Sequence, residues 1–385
     1  MTTQSIEGGS EDPPDAHLGA PSHLAISHSS PLLGIESSAT AASMKEDPSP
    51  SSSQTAQPRQ LYGFNVRVRC QEDKWGGLGL FAEEFIAKGT VIWTECNNVN
   101  TLRMSRAQYR TLCNSEHSAQ VSPHSFALWD GFSTYSYYEA ADDCLVFCAD
   151  NMRYMNHSQD APNSEMVGSS SVALRDILPG EELLEDFTSY DAYPWPEPYD
   201  SWSEAEGHVA DAVRMVYLQA HQDNWKPTLL ETMSCFVAPA GGKGNGLFIG
   251  RKASQGTCIW NNFPGSTLFI PQHVWETFIK SDLIRSPKSK SLHNAILWYS
   301  YYEKRVDSLA LCLDNSRYMN HNAERAACMS EYDDGREGND MGCTVLARDL
   351  QEGEELDDDY REYDVCPWAV MAWEEFVPGY RPHCS

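Results

Sequence analysis

Apolar and polar residues alternate along Phe64-Asn-Val-Arg-Val-Arg-Cys70, which places Phe64, Val66, Val68 and Cys70 on one face of a strand. Further short strands are expected in Lys88-Gly-Thr-Val-Ile-Trp93 and at residues 172–174 and 345–347, with turns following at Gly180 and Gly353. Residues 105–113 and 271–280 read as short helices. Residues 205–222 carry Val209, Val213, Val216, Tyr217 and Ala220 at helical spacing, which predicts a packing helix. Residues 1–58 are rich in Ser, Pro, Ala and Thr and nearly free of aromatics, so they bury too little apolar surface to offset the entropy of ordering. No apolar run approaches the roughly 20 residues that a membrane helix needs.

The pattern occurs twice. Asn151-Met-Arg-Tyr-Met-Asn-His-Ser158 returns as Asn315-Ser-Arg-Tyr-Met-Asn-His-Asn322. Ahead of it, Gly76-Gly-Leu-Gly-Leu-Phe-Ala82 answers Gly244-Asn-Gly-Leu-Phe-Ile249, and Gly79 to Gly246, Gly89 to Gly256 and Trp93 to Trp260 share one offset. Behind it, Pro179-Gly-Glu-Glu-Leu183 answers Glu352-Gly-Glu-Glu-Leu356, Asp186-Phe187 answers Asp359-Tyr360, and Tyr190-Asp191 answers Tyr363-Asp364. A unit this long is a whole domain and not a solenoid repeat. The expected division is a tail at 1–58, a first domain at 61–195, a helical linker at 196–230, a second domain at 231–368 and a C-terminal tail at 369–385. In each unit a Leu-Trp pair (Leu128-Trp129, Leu297-Trp298) precedes a group of tyrosines, which form either core or the wall of a channel.

Charge narrows the partners. With 28 Lys plus Arg against 55 Asp plus Glu, the net charge of −27 repels phosphate backbones and leaves basic protein or peptide segments as the favoured ligands. No direct nucleic-acid contact and no membrane association are expected. The twelve cysteines include no Cys-x-x-Cys pair, and the first residues have neither a basic start nor an apolar core. Free thiols in an intracellular setting, cytoplasmic or nuclear, are the expectation. Cys144 and Cys148 read as buried core and no metal site is assigned. Asp357-Asp-Asp359 reads as a solvated acidic turn.

A glycine-rich loop, a Lys-Gly-Thr-x-Ile strand, an Arg-Tyr-Met-Asn-His-Ser motif, Gly-Glu-Glu-Leu and an Asp-Tyr pair, in that order, resemble the SET domain of S-adenosylmethionine-dependent protein-lysine methyltransferases. The resemblance covers roughly 61–195 and 233–368. It implies a mainly β fold with short helices, a SET-type β-clip pseudoknot, in two tandem copies. It also implies S-adenosyl-L-methionine as cofactor. Gly77, Leu78 and Gly79, or Gly244, Asn245 and Gly246, would meet its methionine part, and Asn156 and His157, or Asn320 and His321, its amino group and adenine. An aromatic channel would keep the substrate lysine neutral, and the catalytic tyrosine would be Tyr360.

The copies depart from the family pattern differently. The first has Phe187 where the tyrosine belongs, with Tyr190 three residues on. The second keeps Tyr360 but has Asn322 for the serine, Ala326-Ala327 for Pro162-Asn163, and a polar insertion over 331–340. Neither is followed by the cysteine-rich zinc segment of many histone-directed members. Two functions follow: a methyltransferase working in the second copy, or a non-catalytic scaffold for basic segments.

Overall fold

The computed structural model describes residues 63–74, 76–118, 123–191, 230, 233–261, 265–281, 285–331 and 343–377. The expected tail at 1–58, the linker helix and most of the polar insertion lie outside these.

The architecture is mainly β, with small sheets and few helices. In the N-terminal half, Val68–Glu72 pairs antiparallel with Leu78–Ala82. A five-stranded sheet runs in the order Val91–Thr94, Ser170–Ala173, Ser164–Val167, Leu184–Glu185, Asn156–His157. A third sheet holds Thr101–Ser105, Cys144–Cys148 and Ser136–Glu139, with helices α1 (Arg106–Ser118) and α2 (Pro123–Thr134) inserted between its strands. The C-terminal half runs through the same order. Phe236–Pro239, Asn245–Phe248, Glu355–Asp358 and Asn320–His321 form one sheet, and Cys258–Asn261, Cys343–Leu346 and Cys328–Glu331 a second. Thr267–Pro271, Ser308–Cys312 and Ser300–Glu303 form a third, with α3 (Gln272–Lys280) and α4 (Pro287–Tyr299) inserted.

In both halves the Asn-His strand lies parallel to a strand from much later in the chain. Leu184 and Glu185 stand opposite Asn156 and His157, and Asp357 and Asp358 opposite Asn320 and His321. The sharp turn before each later strand is made by Gly180 (φ +87°) and Gly353 (φ +83°), a backbone region that favours glycine.

A buried carboxylate fixes the turn that delivers each Asn-His strand. Asp150 accepts from Met152 N at 2.9 Å, Trp93 Nε1 at 2.7 Å and Asn100 Nδ2 at 3.0 Å. Burial pushes its pKa up to about 6, against the lowering effect of these donors. Asp314 repeats the arrangement with Ser316 N at 2.9 Å and Trp260 Nε1 at 3.1 Å. Arg153 adds two bonds from Nη1, to the carbonyls of Ala149 and Asp150.

The halves share one core. Helix α2 crosses α4 so closely that a Cβ on Gly131 would sit 2.8 Å from Leu292 Cβ. Phe132, Phe147 and Phe278 stack edge to face across the contact, with centroids 5.2 and 5.7 Å apart. Hydrogen bonds cross it as well: Arg153 Nη2 to Ser281 Oγ (2.7 Å), Ser115 Oγ to the Leu313 carbonyl (2.7 Å) and Gln108 Nε2 to the Thr267 carbonyl (2.8 Å).

Four expectations change. The strands Ser136–Glu139 and Ser300–Glu303 read identically and pair alike, Ser136 with Phe147 and Ser300 with Leu311. This register sets Leu128 opposite Leu292, not Leu297, so the two Leu-Trp pairs are not equivalent. Second, 123–134 and 287–299 are helices that the dense aromatics obscured. Third, Asp357 and Asp358 are buried (5% and 2% exposed) because their strand is interior to the clip. Fourth, residues after 368 are not a plain tail: Met371, Trp373 and Val377 are buried against the C-terminal half.

Candidate cofactor cleft and active site

Asn156 and Asn320 sit at the same node of each half. Asn320 Nδ2 donates to the Asn245 carbonyl at 3.1 Å and to Glu355 Oε1 at 2.8 Å. Asn156 Nδ2 does the same with the Leu78 carbonyl at 3.1 Å and Glu182 Oε1 at 2.8 Å. The second glycine of each loop makes room for this. A Cβ on Gly79 or Gly246 would stand 3.0 Å from the asparagine amide and within 2.8 Å of the glutamate. Close ligand approach was the expected reason for these glycines, and a side chain of the protein itself supplies another. Gly244 turns the loop at φ +84°, whereas in the N-terminal half the positive φ falls at Gly76 rather than Gly77.

The histidines follow the asparagines. Tyr360 N–H donates to His321 Nδ1 at 3.2 Å, and Phe187 N–H to His157 Nδ1 at 3.0 Å. Each ring also bonds the backbone of the facing strand, His157 Nδ1 at the Glu185 carbonyl (3.2 Å) and His321 at Asp358, so the tautomer sets which partner Nδ1 serves. His321 Nε2 is buried without a hydrogen-bond partner, and burial lowers the His321 pKa, so the ring stays neutral. His157 is the more exposed of the two, with 41% of its side chain open against 16%.

The halves differ in what stands beside this node. Asp73 accepts a third bond from Asn156 Nδ2 at 3.2 Å and one from Gly77 N at 2.9 Å. Its counterpart is Ala240, whose Cβ fills the place next to Gly246. The C-terminal half instead brings Lys243 into the cleft, 3.8 Å from Glu355.

The two departures of the C-terminal half from the motif compensate each other. In the N-terminal half, Asn163 bridges the clip, accepting from Leu184 N at 2.8 Å and donating to the Glu182 carbonyl at 2.7 Å. In the C-terminal half the bridge starts from the opposite strand: Asp357 accepts from Ala327 N at 2.7 Å and Asn322 Nδ2 at 2.6 Å. Asn322 Oδ1 also accepts from Glu324 N and Arg325 N at 3.2 Å, the local capping that Ser158 provides for Ala161 N.

Tyr360 stands where two cavities meet. A cleft of about 500 Å³ is lined by Lys243, Asn245, Asn320, His321 and Tyr360. A narrow channel of about 80 Å³ is lined by Trp260, Tyr301, Tyr363, Asp364 and Tyr360. The Tyr360 hydroxyl donates to the Met319 carbonyl, and burial raises its pKa. Its ring stacks on Tyr363 at 5.3 Å and meets Trp373 edge-on at 5.3 Å. Trp373 Nε1 is fixed by the Ser300 carbonyl at 2.9 Å. In the N-terminal half, Phe187 takes the place of Tyr360 and is 40% exposed, beside a cavity of about 290 Å³.

All ten residues expected to hold a cofactor thus fall at two equivalent nodes. Sequence reasoning missed Trp373, although Pro367-Trp-Ala-Val-Met-Ala-Trp373 is too apolar for a tail. It also missed His124 of α2, which reaches the C-terminal cleft from the other half and stacks on Trp298 at 5.2 Å. No local pattern announces such a contact.

A family model described as the SET domain matches residues 77–188. No curated protein matches the chain. Among solved structures, the chain is similar to a provisionally named histone methyltransferase of Plasmodium falciparum, at 19% identity and a TM-score of 0.21, covering 32% of this chain and 95% of that one. At that score the likeness carries no argument. The fold, mostly small β-sheets with few short helices, is consistent with the SET type.

Proposed function

We propose that the chain is an S-adenosylmethionine-dependent protein-lysine methyltransferase built of two tandem SET-like domains, about 61–195 and 231–368, with its working site in the second. The observation that carries this reading is the placement of Tyr360 between a wide cleft and a narrow aromatic channel. Methyl transfer needs its two reactants to arrive from opposite sides and meet in line, which is chiefly a problem of positioning.

The residues present fit the cofactor. His321 Nε2 is a buried polar atom without a hydrogen-bond partner, and Lys243 brings a positive charge to a cleft that also holds the Asn320 node. Asn245, Gly246, Asn320 and His321 would hold the cofactor, with Lys243 near its carboxylate. When bound, S-adenosylmethionine supplies an electrophilic methyl group on sulfur. The chain does the rest. Tyr301, Tyr363 and Trp260 give the channel aromatic walls, and so favour the neutral form of a lysine whose pKa is ordinarily near 10.4. The carboxylate of Asp364 lines the channel and suits a basic segment, as does the net charge of −27. The Tyr360 hydroxyl and the Met319 carbonyl orient the incoming amine. The free thiols of Cys144, Cys148, Cys312, Cys328 and Cys343 suit an intracellular setting, cytoplasmic or nuclear.

The test is transfer of a labelled methyl group from the cofactor to basic peptides and cell lysate. Tyr360→Phe is expected to lower the rate by about 100-fold, the order seen when one preorganised polar contact is removed. Equal incorporation by wild type and Tyr360→Phe would sink the assignment. Cofactor binding without turnover would favour a scaffold for basic segments instead.

A further inference from the structure

The C-terminal cleft has a wall that its own half does not supply. His124, at the start of α2 in the N-terminal half, lines it beside Trp298, Tyr318 and Trp373. The His124 ring stacks on the Trp298 indole, with centroids 5.2 Å apart and planes 13° from parallel, and meets Tyr299 edge-on at 6.4 Å. Burial lowers its pKa, so the ring is neutral at neutral pH and packs as an aromatic. His124 lines the cleft but not the narrow channel, whereas Trp298 lines both.

The tight crossing of α2 and α4 puts it there, and the crossing works in both directions. In the register that equates Leu128 with Leu292, His124 corresponds to Lys288 and Trp298 to Thr134. Lys288 Nζ reaches back onto the C-terminal end of α2, bonding Thr134 Oγ1 at 2.9 Å and Asp130 Oδ1 at 2.8 Å. Each half thus lays the start of its second helix on the end of the other's. On the N-terminal side this contact is an ion pair whose groups satisfy one another. On the C-terminal side it is a flat, uncharged pair of rings at the wall of a cleft of about 500 Å³.

We propose that the C-terminal cofactor site is a composite of both halves, in which His124 and Trp298 form the platform for the purine base of S-adenosylmethionine. This deepens the proposed function and rests on it. The lining of the cleft is of two kinds. Lys243, Asn245 and Asn320 offer charge and amide groups, which suit the amino-acid end of the cofactor. His124, Trp298 and Val377 offer neutral and largely apolar surface, which suits a flat heteroaromatic base. Trp298 is 38% exposed, leaving apolar area for a ligand to cover. The N-terminal half is then part of the working site of the second, whatever chemistry it has kept of its own.

The test is calorimetry on the full chain with S-adenosylhomocysteine, which keeps the purine and cannot transfer a methyl group. His124→Ala is expected to weaken binding about tenfold, the order of one lost stacking contact. His124→Phe keeps a flat face and is expected to stay within about twofold of wild type. Lys288→Ala, at the counterpart position, opens the same crossing on the other side and is expected to leave affinity unchanged. Both positions are only partly buried, so the thermal midpoint is expected to hold in all three variants. Unchanged affinity in His124→Ala overturns the inference and leaves the proposed function standing. So does a loss in His124→Phe or in Lys288→Ala as large as that in His124→Ala, since the effect would then come from the helix crossing and not from the ring. No binding by wild type at millimolar ligand overturns the proposed function and this inference together.

Discussion

The two halves hold the same asparagine in the same grip, yet surround it with opposite charges. Asn156 and Asn320 each bond a strand carbonyl and a glutamate at matching distances. Beside the first stands the carboxylate of Asp73, and beside the second the methyl of Ala240 and the ammonium of Lys243. Only the second suits a ligand that ends in a carboxylate. The difference teaches that a motif can persist because it holds the clip together, whatever became of its chemistry. In both halves Asn-His ties the clip together, while the charge beside it differs.

The comparison is most exposed at the clip bridge. Asp357→Leu copies the N-terminal residue Leu184 into the C-terminal half, orphans buried Ala327 N and takes the shorter of two acceptors from the Asn322 amide. The expected cost is about 2–4 kcal/mol, read as a lowered denaturation midpoint. Adding Ala327→Asn, the N-terminal solution, should recover at least half of it. An unchanged midpoint for the single variant would show that the two bridges are not equivalent.

The crossing of α2 and α4 comes next. Gly131 and Ala295 hold equivalent positions, and only the first faces Leu292 at a distance with no space for a methyl group. Gly131→Ala should destabilise the chain by about 1–3 kcal/mol through overpacking, whereas Ala295→Ser should change thermal stability less. If both are neutral, the halves pack more loosely than the core indicates.

The smallest expected effect falls on the cleft itself. Ala240→Asp places the N-terminal charge beside Asn320 and should weaken S-adenosylmethionine about tenfold, or about 1.4 kcal/mol, by calorimetry. Affinity equal to wild type would break the link between Asp73 and the character of the N-terminal half.

Much of this was legible in the chain. The repeated Arg-Tyr-Met-Asn-His and the glycine loops located both nodes, because each motif is recognisable by itself, although the bonds that join them link residues 26 to 78 positions apart. The alternation in 64–70 put Phe64, Val66, Val68 and Cys70 on one face; Phe64, Val68 and Cys70 are buried and Val66 half-buried, but the regular strand begins only at Val68. What stayed hidden depended on distance in sequence. Asp357 reads as a solvated acid until its strand is seen inside the clip. Ala327 and Asn322 read as defects until their shared partner, 30 and 35 residues away, is known. Helix α4 has a buried face of Ser289, Leu292, Ala295, Ile296 and Tyr299 and an exposed face with Lys290, Ser291 and Asn294, and it was masked by the dense aromatics that begin at Trp298.

The sequence by itself determined the local parts: strands, glycine turns, the two Asn-His motifs and the Asp359-Tyr360 pair. Only the tertiary structure decided how those parts are completed. It seated Trp373 on Tyr360, brought His124 across from the other half, and opened one aromatic cavity to about 290 Å³ while closing the other to about 80 Å³. The reason is physical. Backbone preference and short-range hydrogen bonds are written in neighbouring residues, whereas cavity size and charge placement depend on what packs from far along the chain.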